Sequence, residues 1–81
     1  MPIEAKEAVK KAFEYLMAVS QESGRFSNFR VEEVKLNAET DFLITLSYEI
    51  TGEFPFDRTK EYKDFVVDQN GKVLSMTIRR V

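Results

Sequence analysis

The stretch from Asp41 to Thr51 constrains the fold more than any other part of this chain. Phe42, Ile44, Leu46, Tyr48 and Ile50 alternate without a miss against Leu43, Thr45, Ser47, Glu49 and Thr51. A period of two puts the first set on one face of a β-strand, and that face must be the core. Gly52 ends the run. A sheet with one apolar face needs a cover, and the N-terminal segment supplies one. From Pro2 to about Ser20, the residues Ala5, Val9, Ala12, Phe13, Leu16 and Ser20 recur at three and four. That spacing predicts an amphipathic helix, with Glu4, Glu7, Lys11, Glu14 and Ala18 facing water. Pro2 suits a first-turn position, and Glu4 and Glu7 complement the positive end of the helix dipole. Gly24 is expected to close the helix in a left-handed turn.

Three more strands are legible. Phe29–Leu36 alternates with a break: Phe29 and Val31 share one parity, Val34 and Leu36 the other. A β-bulge near Glu32–Glu33 would return both pairs to one face. Asn37 to Thr40 is a polar turn. Lys60–Val67 and Val73–Val81 read as the third and fourth strands, joined by Asp68-Gln69-Asn70-Gly71. Asp leading and Gly in the fourth place predict a type I turn followed by a left-handed glycine. That turn sets Tyr62, Val66, Leu74, Met76 and Ile78 on the core face. In the competing two-residue Asn-Gly turn, Phe65 and Val67 replace Tyr62 and Val66 there. Sequential strands with short connections make a meander. The expectation is therefore a single α+β domain over residues 1–81, one N-terminal helix packed on a four-stranded antiparallel sheet.

With 81 residues, a chain buries only about 60–65% of the surface it would expose unfolded, so its stability margin is thin. There is no cysteine and no histidine, which closes the disulfide route and most zinc, copper and haem sites. Association with a second copy is the stabilising route left open. Twelve basic against 14 acidic residues argue against a phosphate-binding role, so no nucleic-acid partner is expected. No apolar run reaches the roughly 20 residues needed to span a bilayer, and MPIEAKEAVKKAF lacks the plan of a secretory signal. The expected setting is the cytoplasm, with no membrane partner.

Little in the sequence carries chemistry. The glycines at 24, 52 and 71 are isolated, so there is no phosphate-cradling loop. Without histidine the usual catalytic triads cannot form. Glu32-Glu33 and Glu39/Asp41 are the close acidic groups, read as solvated charges beside an edge strand. Asp68–Gly71 lacks the alternating ligands and distal glutamate of a calcium loop. Arg79-Arg80 with Arg58, Lys60 and Lys63 could form a basic patch, although cross-strand ion pairing with Glu61 and Asp64 nearby accounts for it. No enzyme, cofactor or metal is expected.

Two features point to partners. In Phe54-Pro55-Phe56 two aromatics flank a proline in a connection that would ordinarily be polar; the rings either plug the open end between helix and sheet or form an exposed tip that inserts into a partner. The outer sheet face, in the register above, carries Leu43, Thr45, Ser47, Phe65, Val67, Val73, Ser75, Thr77 and Val81. That is too apolar for a wet surface, and a self-complementary dimer face fits it. The candidate interface residues are therefore Phe54, Phe56, Leu43, Phe65, Val67 and Val73.

The segment EYKDFVVDQNGKVLSMTIRRV resembles the closing hairpin of PepSY-like modules, where an F-x-V-D-x-x-x-G-x-V pattern turns two strands. Together with the helix and LITLSYEI, the chain looks like small uncharacterised bacterial helix-plus-meander proteins, which imply no activity. The helix-on-sheet plan is also similar to half of the cystatin and NTF2-like layouts. The Q-x-V-x-G loop that cystatins use for inhibition is missing here, and NTF2-like enzymes have more helices to close a pocket. The function expected is a non-catalytic interaction or regulatory module, homodimeric through its outer sheet face. The alternative is a small apolar-ligand-binding domain with a pocket between helix and sheet near Tyr48, Phe54 and Phe56.

Overall fold

The computed structural model describes residues 3–20, 23–54 and 56–79. Pro2, Pro55, Arg80 and Val81, to which the sequence assigns roles, lie outside them. Helix α1 (Ala5–Val19) is followed by a single 3-10 turn at Ser23–Arg25 and four strands: β1 (Phe26–Leu36), β2 (Phe42–Thr51), β3 (Arg58–Val67) and β4 (Val73–Arg79). The strands form one antiparallel sheet in the order β1-β2-β3-β4. This is the expected α+β meander.

The core lies between α1 and the two central strands. Phe42, Ile44, Leu46 and Tyr48 of β2 are buried with Phe65 and Val67 of β3, under Ala8, Ala12 and Leu16 of the helix. The helix meets the sheet through Val9, Ala12 and Leu16 of the expected stripe, with Ala8 in place of Ala5 and Phe13. Ala8 is fully buried, whereas Ala5 is exposed and Phe13 sits at the margin. The two alanines Ala8 and Ala12 bring the helix backbone close to the sheet, and the bulky Phe13 is turned to the flank. There its ring meets Phe29 edge-on at 4.9 Å. The helix also ends sooner than Gly24: the Ser20 amide closes onto the Leu16 carbonyl, and Ser20 itself is extended.

Register in β1 and β2 follows from the apolar pattern. Val31 pairs with Leu46, Val34 with Ile44 and Leu36 with Phe42. Because opposed residues share a face, all three point to the helix side. Glu32 is the extra residue that makes this possible, so the expected bulge is present. A second irregularity between Ser27 and Arg30, with Asn28 at φ 54°, extends the strand back to Phe26. Asparagine tolerates this left-handed conformation better than most residues.

The β3–β4 hairpin corrects the sequence reading in an instructive way. The turn is the expected one: the Gly71 amide donates to the Asp68 carbonyl, Asp68 Oδ1 accepts the Asn70 and Lys72 amides, and Gly71 has φ 87°. Yet Phe65 and Val67, not Tyr62 and Val66, face the helix. The turn sets Val67 opposite Val73, and the register then shifts so that Val66 opposes Ser75 and Phe65 opposes Met76. Leu74 is the residue absorbed by that shift. Phe65, Val67 and Val73 are thereby removed from the outer face assigned to them. Phe65 is 1% exposed and Val67 0%, and Val73 packs against the same cluster.

Candidate functional site

Of the expected outer-face interface, Leu43 remains, half-buried beside Val66. That face also gains Val66 and Tyr62, and its remaining residues are polar and cross-linked. Thr45 Oγ1 donates to Asp64 Oδ1 at 2.6 Å, and Ser47 Oγ donates to Glu32 Oε2 at 2.9 Å. Both hydroxyl residues are buried there, so these bonds satisfy groups that would otherwise be costly. Arg79 pairs with Asp64 at 3.0 Å, Lys60 with Glu32 at 3.8 Å, and Arg58 with Glu49 at 3.7 Å. The basic residues proposed as a patch are thus largely spent on neighbouring strands. Lys60 also lies 5.3 Å from the Tyr62 ring centroid. Glu32 and Glu33 do not act together: Lys35 sits 2.9 Å from Glu33 and holds its carboxyl below the usual range. Glu39 and Asp41 are joined through their amides, which both donate to Asn37 Oδ1. Among the described residues no three acidic side chains gather where a cation could sit, and no helix is long and apolar enough to cross a membrane.

Apolar surface is concentrated instead on the helix side. α1 covers β2 and β3 but leaves the same face of β1 open. Val31, Val34 and Leu36 are each more than a third exposed, as is Phe29. Between α1 and β1 runs an open groove of about 590 Å³, with Val9, Phe13, Phe29, Val31 and Leu46 forming its walls and floor. Phe13 and Phe29, in edge-on contact, are both part of its lining. Lys6, Lys10 and Lys11 of α1 stand around it, with Glu4 and Glu7 as the acids; Arg30 opposes Ser47 and so belongs to the outer face. None of those three lysines makes an ion pair among the described residues.

This groove is not where the sequence reading put a pocket. The space beside Tyr48 is filled: the Phe26 ring packs on it at a tilt with centroids 4.3 Å apart, and the Tyr48 hydroxyl donates to Glu61 Oε1 at 2.9 Å. Burial, then the Glu61 hydrogen bond, pushes the Tyr48 phenol well above its ordinary range. Phe54 and Phe56 lie elsewhere, in the β2–β3 connection. They do not plug the core. Their rings stack on each other at 5.5 Å and 5°, and are 52% and 84% exposed. The connection is drawn tight by hydrogen bonds from Gly52 to Asp57 and from Asp57 to Phe54. The groove was missed because it depends on how far one helix reaches across a sheet. The aromatic tip was visible as a violation of loop polarity.

No family model, curated protein or solved structure matches this chain.

Proposed function

We propose that this chain is a non-catalytic interaction module that docks a partner along the groove between α1 and β1. The observation that carries the reading is the contiguous exposed apolar surface of Phe13, Phe29 and Val31 over the Leu46 floor. In a domain of 81 residues such a surface is a liability unless something covers it. The chemistry agrees. The sequence has no histidine or cysteine, and Glu32, Glu33, Glu61 and Asp64 are each engaged separately by a hydroxyl or a base.

The test uses 1-anilinonaphthalene-8-sulfonate, an amphipathic anion suited to an apolar floor with a basic rim; dyes of this type report exposed apolar surface. The wild-type protein should enhance its emission. Val31→Glu, at a half-exposed edge position, should lose most of that enhancement while keeping its far-UV circular dichroism. No enhancement by the wild type, or full enhancement by the variant, refutes the reading. A second reading, a small apolar ligand in the same groove, draws support from a volume within the roughly 300–1,000 Å³ of such sites. A compound retained through gentle purification, seen by native mass spectrometry and lost in Val31→Glu, would favour it.

A further inference from the structure

We infer that the occupant of the groove is the Phe54–Phe56 tip of a second copy of this chain. The inference rests on the docking role proposed for the groove and names its partner. Each surface lacks what the other has. The tip presents two stacked phenyl rings to water, an arrangement that single surface apolar residues do not explain. It is flanked by Glu53 and Asp57, both exposed and neither in an ion pair among the described residues. The groove presents an apolar floor with three lysines against two acids around it. An acidic aromatic tip and a basic apolar groove are complementary in shape class and in charge.

The tip cannot serve its own groove. Leu46, in the groove floor, is six residues along β2 from Gly52, which is roughly 20 Å of extended strand. Insertion therefore takes place between copies. A tip meeting a groove either closes two copies into a reciprocal two-fold pair or adds copies head to tail, in which case one tip and one groove stay unused at the ends until a ring closes. Two backbone hydrogen bonds, from Gly52 to Asp57 and from Asp57 to Phe54, restrain the ends of the connection, which lowers the ordering cost of docking. One loop in one groove is a small interface, so the association is weak, with a dissociation constant in the micromolar range or above.

The experiment is sedimentation velocity from about 1 µM to 1 mM protein, on the wild type, Val31→Glu, and the double variant Phe54→Ser/Phe56→Ser. The wild type should associate with rising concentration, and less so in high salt. Each variant alone should associate at least about 30-fold more weakly, the loss of an aromatic hot spot. Mixed together, the groove variant still offers a tip and the tip variant still offers a groove. The mixture should form a discrete one-to-one pair that goes no further. Wild type that stays monomeric to 1 mM overturns the inference, as does a tip variant that associates normally or a mixture that forms no pair. If the dye still binds the wild-type groove in that case, the docking reading survives and the second copy is excluded as its partner.

Discussion

Replacing Phe65 by alanine tests the packing at the point where the hairpin register decides which side chains are inside. Phe65 is 1% exposed, lies opposite Ile44 on one side and Met76 on the other, and belongs to the cluster beneath Ala12 and Leu16. Truncating a fully buried phenylalanine costs about 3–5 kcal/mol, the transfer loss plus the cavity left behind. A domain of 81 residues has a total stability of roughly 4–12 kcal/mol, so the variant should be near its folding limit. Its neighbour Val66 faces the other way, opposite Leu43 and Ser75, and is only partly covered. Val66→Ala removes two methylene equivalents from a half-buried site and should cost about 1 kcal/mol or less. The assay is urea unfolding followed by circular dichroism, with stability changes read from midpoints at constant slope. A cost for Phe65→Ala below that for Val66→Ala would refute the register and return Val66 to the core.

Two further predictions concern the tip and the buried phenol. A Cβ on Gly52 would collide with the Asp57 carboxylate, 2.7 Å from its Cγ, and approach the Asp57 carbonyl oxygen at 3.0 Å; Gly52→Ala should therefore lower stability by about 1–3 kcal/mol, seen as a reduced urea midpoint, and Asp57→Gly should recover part of it. The Tyr48 phenol is raised from its ordinary value of 10.0 in the folded state, so its contribution is whole below pH 10 and is lost as pH rises through the folded value. In that window stability should fall by up to about 1.4 kcal/mol per pH unit, and the slope should flatten in Tyr48→Phe; identical slopes in the two proteins would show that Tyr48 is not held neutral.

The legible parts of this fold are those in which one local rule has a single solution. The strand from Phe42 to Thr51 has only one apolar parity. Two apolar pairs of opposite parity in β1 admit one repair, an extra residue between them, and Glu32 is that residue. Asp68 and Gly71 fix the turn through a side-chain acceptor and a positive φ. Parity fails where the pattern is degenerate. Phe65-Val66-Val67 is apolar at every position, so it reads equally well on either face, and the absorption of Leu74 in β4 leaves no mark in the sequence. The expected outer-face interface rested on that choice, which is why Phe65 and Val67 moved to the core while Leu43 stayed outside. Phe54 and Phe56 were found because large apolar side chains in a turn-rich connection break a rule that needs no register at all.

The position of the open apolar surface follows from widths. A helix with its side chains is about 10–12 Å across, whereas four strands at about 4.8 Å spacing occupy roughly 19 Å. One helix of 15 residues therefore covers the two central strands, and the edge strands keep uncovered apolar side chains on that side: Val31, Val34 and Leu36 on β1, Ile78 on β4. The Phe13–Phe29 contact joins the helix to β1, and the uncovered strip beside it forms the groove. Strand addition to β1 is a poor way to cover it. The strand carries two irregularities in its eleven residues, and Glu33 and Lys35 on its outer side, features that disfavour edge pairing. A partner must then arrive face-on, with side chains rather than backbone leading. A short connection that exposes two stacked rings has that form, and this chain carries one in Phe54 and Phe56.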